Sequence, residues 1–292
     1  MDSLVRPNPL MVRHELGNKS GNIRFTASIF GSKDENLSLA GLYGPQDVLK
    51  RRGFCDALKY ELTGLGARRV FAPTPVDPEG KFKAILIPPH ELTTKIPLGH
   101  GLNLWRNRAK PADGTLLQQV GDTGIISAGG CPTIVATYRD KCIFAHAGRD
   151  CLIDRKWIDS RFTQRGRQHG SVVDSIIQTL KTSEPFEADD VEVWVFWAIK
   201  PENFYDNLDD PKWGKRNRET FNYVQGRFGK AAYEQDGRLI GYDLPVMIGA
   251  LFAQHGVLNI YDDHAYLPDE FPTTRTKGQE RMRYLSAFVR QL

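Results

Sequence analysis

The sequence predicts a mixed α/β (α+β) fold, in which mixed β-sheets are flanked by peripheral helices. Its composition is typical of a globular protein, with 40% hydrophobic, 10% aromatic and 25% charged residues in 292 positions. Short β-prone runs and helical periods interleave along the chain. They do not follow the steady strand–helix–strand rhythm of a doubly wound parallel sheet, so several mixed sheets are expected instead.

The predicted elements follow from local patterns. Residues 1–22 are polar and rich in Pro and Gly, which predicts a loose lead-in before a single domain over residues 23–292. Apolar residues at helical spacing predict helices over residues 46–65, 172–180, 243–254 and 280–289. Runs rich in apolar and β-branched residues predict strands over residues 69–72, 82–87, 124–127, 132–138, 141–146, 191–199 and 257–261. The charged stretch 207–241 predicts a loop with short helical pieces.

Charge and cysteine content narrow the function classes. A net charge of +4 spread over the whole chain is not typical of a nucleic-acid-binding surface. The apolar windows do not reach the roughly 18 residues of a membrane span, and the N-terminus lacks the apolar run of an export signal. We therefore expect a cytoplasmic protein that contacts neither membrane nor nucleic acid and acts on a small molecule. Its four cysteines are then reduced, and its oligomeric state is open.

Three reactive residues stand beside β-prone segments. His90 follows the predicted strand 82–87, Cys131 precedes the strand 132–138, and His146 ends the strand 141–146. Two histidines and one cysteine suit Zn²⁺ with an open coordination position. The same residues equally suit a cysteine nucleophile with a histidine base, and taken singly each is more often a packing residue. His100, between two glycines, is an alternative to His90.

The segments around these residues resemble the laccase-domain family. The family pattern runs from "ADAL" through "ADCxP" to "HAGW", and the matching segments here are ADGTLL, AGGCP and HAGR. IPPHELTTKI is similar to the "QVHGxxV" segment of the family, which places His90 on the first histidine of the family site. Similar segments occur in the same order over about residues 24–290.

The resemblance implies a laccase-domain, Cys-hydrolase-like fold and a purine nucleoside phosphorylase with related adenosine deaminase activity. His90, Cys131 and His146 would be both catalytic residues and zinc ligands, and the ligands would be a nucleoside and phosphate. Arg149 and Arg275 are candidates for phosphate binding, because guanidinium groups pair bidentately with phosphate oxygens. Copper is disfavoured, because the clustered ligand sets of multicopper centres are missing from the sequence.

Departures from the family pattern leave two alternatives open. The Asp before the family cysteine is Gly130 here, and the Trp after HAG is Arg149. One alternative is a metal-free hydrolase or deamidase with Cys131 as nucleophile and His146 as base. The other is a non-catalytic member that retained the fold after losing substrate-binding residues.

Overall fold

The structure is a computed structural model of the chain. It describes residues 10–31, 36–74, 85–107, 109–153, 170–183, 185–203, 205–271, 273 and 283–292. Within them, none of the helices combines the length and the apolar character that a membrane crossing needs.

Two large sheets carry the fold. The first has seven strands in the order β1-β2-β16-β8-β3-β6-β5. Their bounds in this order are Leu10–Gly17, Arg24–Gly31, Tyr284–Arg290, Asp122–Ala128, Arg69–Phe71, Leu102–Arg106 and Thr94–Gly99. The second has six strands in the order β15-β11-β9-β10-β7-β4. Their bounds are Asn259–Tyr261, Glu192–Phe196, Thr133–Tyr138, Lys141–His146, Gly114–Leu116 and Leu86–Ile87. Both sheets mix parallel and antiparallel pairs.

The remaining elements cover the outer faces of the two sheets. A small sheet has the order β12-β14-β13, with bounds Tyr205–Asn207, Leu239–Tyr242 and Tyr233–Asp236. The α-helices are α1 Pro45–Lys50, α2 Arg52–Gly64, α3 Arg149–Leu152, α4 Val172–Leu180, α5 Gly214–Phe228 and α6 Leu244–Ala253. Short 3₁₀ turns lie at Pro89–Glu91, Ala188–Asp190, Pro201–Asn203 and Lys230–Ala232. The mixed α+β architecture confirms the predicted fold class.

The apolar core is arranged in three layers. Between the two large sheets, Phe288 of β16 contacts Phe196 of β11 and Phe144 of β10, with ring centroids 5.2 and 6.5 Å apart. Helix α2 covers the outer face of the seven-stranded sheet with Leu58 and Leu62. Helices α4 and α6 pack on the outer face of the six-stranded sheet. The six-stranded sheet is therefore buried on both faces, which explains its nearly continuous apolar strands.

Several predicted elements are confirmed. Helix α4 and strand β10 have the predicted bounds, and α6 begins after Asp243, whose side chain accepts a hydrogen bond from the Val246 N–H. The predicted helix 46–65 is divided at Arg51 into α1 and α2.

The prediction of a closing helix over residues 280–289 is wrong in the described part, because Tyr284–Arg290 forms strand β16. This strand pairs with β2 on one side and β8 on the other, and all of its residues are buried. Burial on both faces removes the alternation of apolar and polar residues that would have indicated a strand.

Two other segments are more ordered than predicted. Residues 10–17 were assigned to the loose lead-in, but they form edge strand β1, whose residues alternate between half-buried and exposed. This period of two is present in the sequence LMVRHELG. The stretch 207–241 contains the 15-residue helix α5 and strand β13, and strand β14 begins at its end. Helix α5 buries only a narrow stripe that includes Thr220 and Val224, so its helical period is weak in the sequence.

An ion pair between a half-exposed arginine and a buried aspartate joins two strands of the larger sheet. Asp122 is 1% exposed and accepts two hydrogen bonds from Arg69, at 2.6 and 2.8 Å, and two more from the N–H groups of Gln118 and Gln119. We expect Asp122→Ala to lower the free energy of unfolding by about 1–3 kcal/mol, since it leaves the partly buried donors of Arg69, Gln118 and Gln119 without their shared acceptor. Urea unfolding measures the loss. Glu91→Ala, which removes the exposed pair with Lys110, is the control and should cost about 0–1 kcal/mol. Equal losses in the two variants would contradict the prediction.

Candidate active site

Strand pairing brings Cys131 and His146 together. Strands β9 and β10 are antiparallel, and His146 at the end of β10 lies opposite Thr133 at the start of β9. Cys131 stands two residues before Thr133, and the Ala147 N–H donates to the Pro132 carbonyl at 2.9 Å. The turn before β9 and the end of β10 therefore meet at one end of the sheet. There the thiol of Cys131 hydrogen-bonds the His146 ring.

Gly148 shows where the two reactive groups converge. A Cβ atom at this position would lie 2.9 Å from the Cys131 sulfur and 3.1 Å from His146 Nε2. Both atoms thus approach the same point on the backbone, and a side chain there would displace one of them. The glycine of the HAGR segment is needed for this close approach.

A buried aspartate holds the other side of the imidazole. Asp113 directly precedes β7, which pairs with β10, and its carbonyl accepts the His146 N–H at 2.8 Å. Asp113 Oδ1 lies 3.2 Å from His146 Nδ1, and the Cys151 thiol donates to the same oxygen at 3.0 Å. With Nδ1–H donated to the carboxylate, Nε2 is left to accept the proton of the Cys131 thiol. The sequence of groups is that of a nucleophile, a base and an orienting carboxylate.

The charges around Cys131 favour its thiolate. Burial raises the pKa of the Cys131 thiol, but His146 beside it, with Arg283 and Arg149 farther away, brings the pKa below its usual value. Burial likewise opposes protonation of His146, yet the neighbouring thiols and Asp113 hold the pKa of His146 well above its usual value. Burial raises the pKa of Asp113, and the hydrogen bond to His146 partly offsets this. The Cys131–His146 pair therefore favours thiolate and imidazolium.

This charge distribution predicts the pH dependence of Cys131 alkylation. Because the thiol pKa is lowered, the thiolate persists at pH values where an ordinary thiol is protonated, so the alkylation midpoint of Cys131 lies below that of a free thiol. Cys55 is the internal control, because burial raises the pKa of its thiol. Iodoacetamide labelling between pH 5 and 10 in the metal-free protein, read by peptide mass spectrometry, gives both midpoints. Equal midpoints and rates for the two thiols would show that Cys131 is not activated.

The two candidates for the first histidine of the site, His90 and His100, are both exposed. His90 lies on the 3₁₀ turn Pro89–Glu91, and His100 lies in the turn between β5 and β6. Among the described residues, one group of three metal-ligating side chains has its ligand atoms within 4.8 Å of one another, and it does not include His90. Of the three predicted site residues, Cys131 and His146 are together, and the role of His90 stays a prediction.

The predicted anion-binding arginines have different surroundings. Arg149 begins α3 and forms ion pairs with Asp206 and, at 3.4 Å, with Asp150, so its charge is already balanced by protein carboxylates. Arg275 lies outside the described residues. Arg283, which the sequence patterns did not single out, is half-buried and close enough to lower the thiol pKa of Cys131.

The group that could hold a metal ion is Asp113, His146 and Cys151. All three are buried. Asp113 Oδ1 lies 3.0 Å from Cys151 Sγ and 3.2 Å from His146 Nδ1, and Cys151 Sγ lies 3.3 Å from His146 Nδ1. These separations suit ligands of one tetrahedral ion. Asp113 Oδ2 is also buried and accepts no hydrogen bond within the described structure, which is unusual for a carboxylate and leaves it free for an unseen partner. The donor set therefore fits a metal, although its composition differs from the predicted His90–Cys131–His146 set.

Sequence reasoning missed two members of this centre, Asp113 and Cys151. Asp113 had a signal, because it is the charged residue of the ADGTLL segment and directly precedes a buried strand. Cys151 had no such signal in the sequence. Of the four free cysteines, Cys131 alone is partly exposed, while Cys142 lies in the core between the large sheets.

A cavity lies next to the Cys131 turn. It has a volume of about 490 Å³, and Ile199 and Phe271 are among its lining residues. The Ile199 N–H donates to the Gly130 carbonyl, and Phe271 contacts the ring of Tyr284, whose hydroxyl hydrogen-bonds the Cys131 carbonyl. The cavity is thus one residue layer away from the reactive cysteine.

Comparisons with known proteins identify the fold. No family model matches the sequence, and no curated protein matches it. Solved structures do match. Protein NMB0706 of Neisseria meningitidis, described as family-model DUF152, has 12% identity and a TM-score of 0.59, and the match covers 96% of this chain and 98% of that chain.

Two further structures have the same fold. YlmD from Geobacillus stearothermophilus has 14% identity and a TM-score of 0.58, with 93% of each chain covered. The hypothetical protein YfiH of Bacillus licheniformis has 12% identity and a TM-score of 0.56, with 91% and 92% covered. The chain therefore shares the fold of these three solved structures, one of which is described as a DUF152 protein. At this identity the likeness establishes the fold alone.

Proposed function

We propose that this protein is a cysteine-dependent hydrolase or deamidase that acts on a small molecule at Cys131. The observation that supports this best is the relay from Cys131 through Nε2 of His146 to Nδ1 and Asp113. It contains the nucleophile, the base and the orienting group that covalent catalysis requires. Cys131 is a partly exposed residue, so a substrate can approach the turn that carries it.

The chemistry follows from the three side chains. His146 takes the thiol proton, and the Cys131 sulfur attacks the carbon of a C–N bond that is activated by a double-bonded oxygen or nitrogen. The C–S bond forms as the electron pair of the double bond moves to that heteroatom. When the pair returns, the C–N bond breaks and the leaving nitrogen takes the proton from His146. Water, deprotonated by His146, then cleaves the C–S bond and the thiol is restored. Asp113 keeps the imidazole ring oriented and stabilises its positive charge in both halves of the cycle.

Ammonia release tests this proposal. The purified protein is incubated with a panel of small amides, amidines and aminopurine nucleosides, and ammonia is measured together with the mass of the product. We expect one class to be turned over and the Cys131→Ala variant to be inactive on it. Turnover that survives in Cys131→Ala would contradict a covalent mechanism at this residue.

A second candidate is the activity that the family resemblance implies, a zinc-dependent phosphorolysis of purine nucleosides or deamination of adenosine. The observation that favours it is the close Asp113–His146–Cys151 group with the unpaired oxygen of Asp113. These residues would hold the ion, and a bound Zn²⁺ supplies a Lewis acid and activates water near neutral pH. Arg283, whose positive charge acts on Cys131, would attract phosphate to the site.

Metal analysis and a nucleoside screen separate the two candidates. Adenosine, inosine and guanosine are incubated with and without phosphate, before and after chelation of the protein. Stoichiometric zinc and phosphate-dependent release of free base would favour the second candidate. Ammonia release that survives chelation would favour the first. Failure to turn over any compound, together with an unactivated Cys131, would favour the non-catalytic alternative.

A further inference from the structure

The hydroxyl of Tyr284 joins the Cys131 turn to a neighbouring strand end. Tyr284 is the first residue of β16 and is fully buried. Its hydroxyl shares one proton between the carbonyl oxygens of Trp197 at 2.8 Å and Cys131 at 3.2 Å. The same oxygen accepts the N–H of Gly130. The Tyr284 hydroxyl thus links the backbone of Gly130 and Cys131 to the backbone of Trp197, the residue that follows β11.

Trp197 has a backbone conformation that the surroundings must stabilise. Its φ of +59° lies in the left-handed region, which is strained for a bulky residue. The Trp197 N–H donates to the His264 carbonyl at 3.0 Å, and its ring packs against Phe196 and Phe288. The bond from Tyr284 to the Trp197 carbonyl completes this arrangement. The left-handed conformation of Trp197 turns the chain after β11, and two residues later the Ile199 N–H donates to the Gly130 carbonyl.

Gly130 shows that the turn before Cys131 is tightly constrained. Its φ is +127°, a conformation that residues with a side chain rarely adopt. A Cβ atom there would lie 3.1 Å from Cβ of Ile199, whose N–H donates to the Gly130 carbonyl at 2.9 Å. The position of Cys131 is therefore set by contacts on its N-terminal side as well as by His146.

We propose that Tyr284 is a positioning residue that holds the Cys131 sulfur against His146. Without the phenol hydroxyl, the Cys131 and Trp197 carbonyls and the Gly130 N–H lose a shared partner, and the turn is free to move away from the imidazole. Tyr284 would act through the backbone of Cys131 and would not touch the substrate. This inference rests on the proposed function, because positioning matters only where Cys131 reacts.

The test compares two tyrosine-to-phenylalanine variants. Tyr284→Phe removes the hydroxyl at the site. Tyr138→Phe is the matched control, because Tyr138 is also fully buried and its hydroxyl also joins two backbone groups, the Pro185 carbonyl and the Glu187 N–H. Two readouts are used, the rate of Cys131 alkylation by iodoacetamide at pH 7 and the ultraviolet absorbance of the thiolate against Cys131→Ala. We expect alkylation to slow by about tenfold or more in Tyr284→Phe and to stay at the wild-type rate in Tyr138→Phe.

The outcomes separate the inference from the function on which it rests. A folded Tyr284→Phe variant with wild-type alkylation and thiolate absorbance would overturn the positioning role. If wild-type Cys131 itself reacts no faster than a free thiol, the proposed function fails. Should Tyr284→Phe not fold, hydrogen exchange of the Gly130 amide in the native protein gives a second measurement. Protection of that amide supports the contact with Tyr284, and exchange at the unprotected rate overturns it.

Discussion

Replacing Cys131 with alanine should lower turnover by about 10⁴-fold or more while the protein stays folded. The variant loses the nucleophile, and neither His146 nor Asp113 can substitute for a missing sulfur. The structural cost is small, because Cys131 is partly exposed at a turn and the substitution removes a single atom. A cost of about 1 kcal/mol corresponds to a shift of about 2–4 °C in Tm for a chain of this size.

Cys142→Ala is the matched control for this prediction. Cys142 is fully buried in the core between the two large sheets, and burial raises the pKa of its thiol to about 12. Its replacement leaves a cavity, so we expect a loss of stability similar to or larger than that of Cys131→Ala, with turnover retained. Turnover is measured on the compound that the ammonia or nucleoside screen identifies, and Tm by calorimetry. Normal turnover in Cys131→Ala would assign Cys131 to packing.

Metal binding would add a stability effect that can be separated from catalysis. If an ion at Asp113, His146 and Cys151 stabilises the fold, chelation lowers the Tm of the wild type by linkage. The same chelation should lower the Tm of Cys131→Ala by an equal amount, because Cys131 is not part of that group. A Tm of Cys131→Ala that no longer responds to chelation would instead indicate that Cys131 is a ligand, as the predicted His90–Cys131–His146 set requires.

The fold was predictable where buried residues recur along the sequence at the spacing typical of the element, as they do on one face of a helix. Helix α4 buries one face and has a capping box from Ser171 to Asp174, and both features are visible in its sequence. Strand β16 is buried on both faces, so its composition does not distinguish a strand from a helix, and only the partners β2 and β8 decide. Long-range pairing of this kind has no local signal.

The candidate site was only partly predictable from the sequence, and the reason is similar. Cys131 lies just before β9 and His146 ends β10, and a short turn joins these two strands, so their proximity follows from a hairpin that the sequence indicates. Asp113 reaches His146 through the pairing of β7 with β10, which joins segments about 30 residues apart. Tyr284 reaches Cys131 across 153 positions. Residues brought in by distant strands have no fixed spacing, so no spacing pattern could place Asp113 or Tyr284 beside Cys131, even though Asp113 lies in the ADGTLL segment.

Replacing Asp113 with asparagine should reduce turnover by about 10³–10⁴-fold, the effect expected when the orienting carboxylate of a nucleophile–histidine relay is lost. Asparagine has the same shape but no charge. It therefore no longer stabilises the imidazolium, and the pKa of His146 falls, because the hydrogen bond that His146 donates to the Asp113 carboxylate is one of the interactions that raise this pKa. The amide can also present its NH₂ group to Nδ1, which would favour the tautomer with its proton on Nε2, the wrong nitrogen for a base that must accept the thiol proton.

The effect on Cys131 provides a readout that does not depend on substrate. With a less basic His146, less of the thiolate–imidazolium pair forms, so the alkylation midpoint of Cys131 should move to higher pH in Asp113→Asn. Asp122→Asn is the matched control, since Asp122 is an equally buried aspartate paired with Arg69 on another strand. We expect it to lose stability and to keep the wild-type midpoint.

Combining the variants tests whether Asp113 acts through Cys131. If it does, the double variant Cys131→Ala/Asp113→Asn has the same residual turnover as Cys131→Ala alone, because groups that act as one unit are not additive. Independent effects that multiply would contradict the relay. Turnover of Asp113→Asn within about tenfold of the wild type would also contradict it. A loss of bound metal that parallels the loss of turnover would instead assign Asp113 to the metal centre with Cys151, since its Oδ1 contacts both His146 and the Cys151 thiol. The single substitution thus distinguishes an orienting carboxylate from a metal ligand at the same atom.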